Sequence, residues 1–362
     1  MSDLQSMMKN SGMIMISQLQ KKIRPRQLFA IICIMSFIMF IIHAPSLFPA
    51  KRRRSFVSTN TEALKYRPEQ CYNCNIHDFQ LLINSENICQ TTLASPGIHI
   101  LILISSVHKN RAQRDMYRDT WLTYTKNNTA DIRYAFIFGN RNDTEANTAL
   151  LEESKLYNDI LQEDFYDSYT NLSIKTMMAF KWASTHCAHA QYLMKTDDDM
   201  YVNIPGVKKA IKDNWKQLQT SIGGKCFFQA DPVRDLQSKW YVSYQYYAKK
   251  FYPGYCSGTG YVTSMTMVTD VFKVSKHVPF FYLEDVFVSL CVERIGKQLL
   301  NIDGFNSGIV SPINSKVYKS EDFRTAHRVA PKLLLKLWND ECQQKREIKP
   351  DEIGADKTWT DC

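Results

Sequence analysis

The sequence predicts an α/β domain built on an open sheet with helices packed on it, and three observations carry that prediction. Ile98-His99-Ile100-Leu101-Ile102-Leu103-Ile104 and Ile132-Arg133-Tyr134-Ala135-Phe136-Ile137-Phe138 are almost unbroken apolar runs, as strands buried on both faces require. Segments with apolar residues at helical spacing alternate with such runs. A third run, Tyr192-Leu193-Met194, passes through Lys195-Thr196 into Asp197-Asp198-Asp199, three consecutive carboxylates where open α/β sheets bind their ligands.

From the N-terminus, residues 1–27 read as a polar cytoplasmic tail. Leu28 to Ile42 contains one polar residue, Ser36, and the apolar stretch extends to Phe48. That length is close to the ~20 residues of a spanning helix, so residues 28–48 are expected to be a transmembrane signal anchor. A long polar lead and the lack of a small-x-small cleavage site argue against a cleaved signal peptide. The net charge of +9 has the same origin. Nine of the 45 Lys and Arg, but one of the 36 Asp and Glu, lie in residues 1–54, so the remainder is close to neutral and nucleic acid is not an expected partner.

Basic residues flank the apolar segment on both sides and do not fix its orientation. The body decides it. Asn127, Asn142 and Asn171 each open an N-glycosylation sequon, and nine of the ten cysteines lie beyond the anchor, as expected in an oxidising lumen. Nine is odd, which leaves one thiol free or paired with another chain, so disulfide-linked or homo-oligomeric association stays open. Cys71-x-x-Cys74 with His77 and Cys89 has the composition of a zinc site, but disulfides are the expected use in this compartment. Residues 49–95 sustain no period and read as a lumenal stem, leading to a catalytic domain over 96–340.

Within that domain, Arg111, Arg114 and Arg118 fall at i, i+3 and i+7 just past the first strand, where a nucleotide diphosphate wants cations. Leu150, Leu151, Ser154, Tyr157 and Leu161 predict a helix over 145–161, and Leu172, Met178, Ala179 and Trp182 another over 171–187. Along an extended chain, Asp197 and Asp199 share a face with Lys195, while Asp198 shares the other with Thr196. Counting from Asp197, the fifth and twelfth positions are Tyr201 and Lys208, which no calcium loop accepts. An Asp-x-Asp pair suits Mg²⁺ or Mn²⁺ on a substrate diphosphate.

Pro205 opens a further helix to about Leu218, and Trp240 to Tyr247 reads as a strand or strand pair. Tyr252-Pro253-Gly254-Tyr255-Cys256-Ser257-Gly258-Thr259-Gly260-Tyr261 has the composition of a loop whose glycines allow close approach of a ligand and whose aromatics can stack on a sugar. Glu284 and Asp285 begin a helix containing Val286, Phe287 and Leu290. Residues 297–304 suit a last strand, His327 precedes a helix over Pro331–Trp338, and residues 341–362 form a C-terminal extension.

Five ordered motifs resemble the β-1,3-galactosyltransferase family, glycosyltransferase family 31, with its Brainiac-type β-1,3-N-acetylglucosaminyltransferases. They are Arg111-x-x-Arg114-x-x-x-Arg118-x-Thr120-Trp121; Glu153 through Asp164-Phe165-x-Asp167-Ser168-Tyr169-x-Asn171-Leu172-x-x-Lys175-Thr176; Lys195 to Met200; Tyr252 to Tyr261; and Glu284-Asp285-Val286-Phe287-Val288. Ser289, where many members have Gly, and Pro253-Gly254, in place of Pro-Pro, depart from the pattern.

The resemblance implies a single-pass type II Golgi membrane protein whose lumenal domain has the GT-A fold. It implies an inverting, metal-dependent β-1,3 transfer of galactose or an N-acetylhexosamine from a UDP-sugar to a glycan on a glycoprotein or glycolipid. Asp197, Asp199 and His327 are then expected on Mn²⁺ or Mg²⁺, with Arg111, Arg114, Arg118, Lys195, Asp197 and Asp198 on the donor. Asp285 is expected as general base, its charged form favoured by the helix N-terminus, and Glu284 as an acceptor-orienting group. A catalytically silent lectin or assembly partner of the same fold, and a metal-dependent phosphohydrolase, are the competing readings.

Overall fold

The computed structural model describes residues 66–362 except 76, 92–96, 345, 350–351 and 354–356. The chain divides into two units, Met1–Val57 and Ser58–Cys362, and the first lies outside the described residues together with the expected tail and anchor. Among the described residues no helix is long and apolar enough to cross a membrane.

The sheet is built outward from β2 (Ile100–Ser105), whose six residues are all buried. Side chains alternate across a strand, so Leu101 and Leu103 join the core on one face while Ile100, Ile102 and Ile104 join the core on the other. The eight-stranded order is β1 (Leu81–Ile83), β4 (Ile160–Tyr166), β3 (Ile132–Asn140), β2, β5 (Tyr192–Asp197), β8 (Tyr255–Ser264), β7 (Ser221–Phe227), β9 (Gln298–Asn301). β2, β3, β4 and β5 are mutually parallel, and β8 runs against both β5 and β7. The chain proceeds from β2 outward through β3 and β4, then returns to place β5 on the other side of β2. A crevice beyond the carboxyl ends of β2 and β5 follows from that reversal.

Helices α1 (Arg111–Asp119), α4 (Ile204–Asp213) and α7 (Pro331–Trp338) contribute to one core. Helices α3 (Leu172–His186), α5 (Met265–Ser275) and α6 (Glu284–Arg294) contribute to the other. The exposed helix α2 (Thr144–Tyr157) starts where the Asp143 carboxylate accepts the Ala146 N–H. It stops at Asn158, with a φ of 51°, so Leu161 belongs to β4 and not to the helix expected through it. A two-stranded sheet pairs β10 (Thr325–His327) antiparallel with β6 (Met200–Val202).

Three further expectations are corrected. Tyr255 to Tyr261, read as a loop from its Gly, Ser and Tyr content, is the first part of β8; pairing on both sides supplies the order that composition did not reveal. Trp240 to Tyr247 forms no strand, and its Tyr241 makes a lone bridge to Val233. The described residues of the segment expected to be a stem, 66–91 without 76, dock on the domain. β1 pairs with β4, Cys89 is joined to Cys187, and the Arg67 guanidinium donates to the carbonyls of Pro279 (2.8 Å) and Phe280 (3.0 Å).

Cys71 is joined to Cys74, so these two do not form a zinc site with His77, whose Nε2 meets Glu163. The other bridges are Cys226–Cys256 and Cys342–Cys362, and the odd thiol is buried Cys291.

Candidate active site

A cleft of ≈ 620 Å³ opens at the carboxyl ends of β2 and β5, a volume ordinary for a small-molecule site. Ser105, Ser106 and Val107 line it from the end of β2, and Asp197, Asp198 and Asp199 from the end of β5. The Asp198 N–H donates to the Ser105 carbonyl (3.0 Å), continuing the ladder past the last paired residues.

The three aspartates have three separate partners. Asp197 Oδ1 accepts from Lys195 Nζ (2.7 Å). Asp198 Oδ2 accepts from Ser106 Oγ (2.5 Å), Asn110 Nδ2 (3.1 Å) and the Val107 N–H (3.3 Å). Burial, opposed by the Ser106 bond and reinforced by Asp199, raises the Asp198 carboxyl to about 6. Asp198, which lines the cleft as expected of a donor-side residue, thus also pins the loop after β2.

Asp199 Oδ2 lies 2.9 Å from His327 Nε2, brought there by the β6–β10 pairing. His327 Nδ1 lies 3.1 Å from the Ser307 carbonyl, the kind of contact that orients a ligating imidazole and leaves Nε2 for a cation. Burial opposes charge on both groups, yet their mutual attraction wins: His327 is raised and Asp199 lowered.

The donor chemistry fits a divalent ion held by few protein groups. Two carboxylates and an imidazole line the same cleft, and a hard ion so placed completes its shell with phosphate and water oxygens. Among the described residues no three His, Cys, Asp or Glu form a ready-made cage.

A second group of side chains gathers at the start of α6. Glu284 is buried, with Oε1 accepting from Tyr261 OH (2.8 Å) and Thr176 Oγ1 (3.0 Å) and Oε2 lying 3.5 Å from Lys195 Nζ. Lys195 thus bridges Asp197 and Glu284 and donates to the Gly258 carbonyl (2.5 Å). Burial disfavours its charge, but Asp197 and Glu284 outweigh that and raise its pKa. A Cβ on Gly258 would sit 2.6 Å from Glu284 Oε2, which explains glycine at this point of β8.

Asp285, half-buried, accepts from its own helix at the Val286 N–H (2.9 Å) and weakly from the Gly258 N–H (3.5 Å). Burial first, and then the charge of Glu284, push its carboxyl up to about 7. The expectation from the helix N-terminus had the opposite sign; burial outweighs the two backbone donors. Tyr255, Tyr282, Lys239 and Trp240 line the cleft with it.

The three arginines of α1 are placed elsewhere. Arg114, 1% exposed, binds Glu153 through Nε (2.8 Å) and Nη2 (2.5 Å). Arg118 spans Glu153 (2.7 Å) and Asp159 (2.8 Å), and Arg111 pairs with Asp115 (2.8 Å). None lines the cleft. Arg114 Nη1 also donates to Ser106 Oγ (3.1 Å) and the Val107 carbonyl (2.9 Å). These bonds shape the loop that Asp198 holds, and carboxylates take up the guanidinium for which contact with a diphosphate was expected.

Sequence reasoning gave no role to two other basic residues of the cleft. Lys175, within a quoted motif, is buried between Asp167 Oδ1 (2.7 Å) and the Ser106 carbonyl (2.8 Å). Arg328 follows His327, and only that adjacency pointed to it. Of the sequon asparagines, Asn127 and Asn142 are exposed, whereas Asn171 is half-buried with Nδ2 donating to the Tyr166 carbonyl (2.8 Å).

Residues 112–302 match the family described as Galactosyltransferase. Beta-1,3-galactosyltransferase 1 of Mus musculus and of Homo sapiens are each 35% identical over 274 residues, covering 75% of this chain and 81% of the relative. Beta-1,3-galactosyltransferase 5 of Pan paniscus is 32% identical over 241 residues, covering 66% of this chain and 79% of the relative.

Proposed function

The chain belongs to the β-1,3-galactosyltransferase family of UDP-sugar-dependent glycosyltransferases, and from that premise we propose that it is an inverting, metal-dependent β-1,3-hexosyltransferase. Its donor is UDP-galactose or a UDP-N-acetylhexosamine, and its acceptor is a hydroxyl of a glycoprotein or glycolipid glycan. The domain is of GT-A type and works in the Golgi lumen behind an anchor at residues 28–48.

One observation carries the reading: a single cleft holds both the Asp199–His327 pair and the raised carboxyl of Asp285, with Lys195 bridging their chain neighbours Asp197 and Glu284. Asp199 and His327, assisted by Asp197, would hold Mn²⁺ or Mg²⁺, and such an ion neutralises charge on a leaving diphosphate. Asp285 takes the proton of the acceptor hydroxyl as that oxygen bonds to the anomeric carbon and UDP departs. A carboxyl near 7 supplies more driving force for that transfer than an ordinary aspartate. Glu284, held by Tyr261 and Thr176, keeps Lys195 in place and lines the cleft toward the acceptor.

The test is a panel of UDP-sugars and β-linked acceptors offered to the lumenal portion with Mn²⁺ or with chelator. Chelator-sensitive transfer giving a β-1,3 linkage supports the proposal. UDP-sugar hydrolysis without transfer favours the phosphohydrolase, and glycan binding without turnover the lectin.

A further inference from the structure

Tyr246, Tyr247, Tyr252, Phe281 and Tyr282 form one cluster of buried rings, with neighbouring centroids 5.2 to 6.0 Å apart. A buried phenol is costly unless its O–H finds a partner. Three of these four tyrosines find one within the protein: Tyr246 OH donates to the Phe280 carbonyl (2.9 Å), Tyr247 OH to the Phe251 carbonyl (3.0 Å) and Tyr282 OH to the Tyr241 carbonyl. Tyr252 differs. Among the described residues its hydroxyl has no hydrogen-bond partner, and a buried polar atom left in that state calls for an explanation.

The place of Tyr252 in the fold supplies one. It is 6% exposed yet lines the cleft, together with Tyr282 and Asp285. Burial first, and then Tyr282, raise its phenol against the opposing charge of Arg234, and Asp285 adds to the rise, so the phenol stands within the field of that carboxylate. A phenol so held keeps its proton at any working pH and remains an O–H donor. Its direction is set in advance: the Tyr252 N–H donates to the Ala230 carbonyl (3.0 Å), and the Phe281 ring meets its ring at 87°. With the ring packed in this way, the hydroxyl is what Tyr252 offers a ligand.

We propose that the Tyr252 hydroxyl donates a hydrogen bond to an oxygen of the acceptor sugar other than the one whose proton Asp285 takes. The proposal rests on the reading of this cleft as a sugar-transfer site with Asp285 as its base. Two oxygens of one pyranose are then fixed by two side chains of the same wall, which orients the attacking hydroxyl as well as binding it. A buried donor that only a substrate oxygen satisfies also favours the sugars that supply that oxygen over those that lack it.

Tyr252→Phe removes the oxygen and keeps the ring. Steady-state transfer to p-nitrophenyl β-galactoside and to p-nitrophenyl β-N-acetylglucosaminide is compared with wild type, beside calorimetry with UDP and the thermal unfolding midpoint. For the acceptor that the wild type uses, KM should rise roughly 3- to 10-fold, by a larger factor than kcat falls, with UDP affinity unchanged. The unfolding midpoint should be no lower, because a hydroxyl without a partner in the protein contributes no bond to lose; a bond made within the protein would lower it. A rise in acceptor KM below about threefold, a matching loss of UDP affinity, or a variant that melts lower or does not fold overturns the proposal. A wild-type chain that transfers sugar to neither acceptor overturns the transfer-site reading beneath it.

Discussion

Lys195 Nζ lies 2.7 Å from Asp197 and 3.5 Å from Glu284, so one buried cation ties the aspartate triplet to the start of the helix that carries Asp285. Removing it leaves Glu284, itself buried, without its counter-charge. Breaking a buried pair by deleting one partner costs about 3–5 kcal/mol. Lys195→Met is therefore expected to lower unfolding free energy by that order in urea titration. A loss below about 1 kcal/mol, the level of an exposed pair, would show that the bridge is not maintained in solution.

The second prediction concerns where the working domain begins. Arg67 holds the Pro279 and Phe280 carbonyls just ahead of Glu284, and Tyr246 OH also donates to the Phe280 carbonyl (2.9 Å). A chain truncated to begin at residue 96 loses Arg67, β1 and the Cys89 half of its bridge to Cys187. It should be recovered poorly or melt well below a chain beginning at Ser58, and transfer little sugar. Equal melting temperature and equal activity for the two chains would make the N-terminal segment dispensable.

A third expectation follows from the Asp285 carboxyl near 7. Only the deprotonated carboxylate accepts a proton, so kcat/KM should rise with pH through about 7. Stability should move the other way. The folded state holds this proton more tightly than the unfolded state does, so the stabilisation it brings is complete at acid pH and is lost as pH rises through the folded value. A pH–rate profile flat from 5 to 8 would contradict this expectation.

The strands of the sheet interior were legible because Ile98–Ile104 and Ile132–Phe138 are apolar but for His99 and Arg133, a pattern that local sequence displays. β8 was not. Its Tyr-Cys-Ser-Gly-Thr-Gly stretch owes its order to β5 and β7 on either side, which no local pattern shows. The same limit hid the partners of Arg114 and Arg118, since the carboxylates of Glu153 and Asp159 lie 35 to 41 residues away. That His327 lies against Asp199, 128 positions away, is likewise a tertiary fact that no local pattern shows. The shift of Asp285 has the opposite sign to the one its helix position suggests, since a helix start is visible in sequence and burial is not.

The central claim, that Asp285 is the base of a sugar transfer in this cleft, is tested most directly by the transfer rate of Asp285→Asn measured beside its UDP affinity. The substitution keeps size and hydrogen bonding and removes basicity. The account predicts a rate lower by roughly 10² to 10⁴, the loss of the rise in kcat/KM near pH 7, and Mn²⁺-dependent UDP affinity within a few fold of wild type. Glu284→Gln, by contrast, should raise acceptor KM more than it lowers kcat. Near-normal transfer by Asp285→Asn would contradict the mechanism.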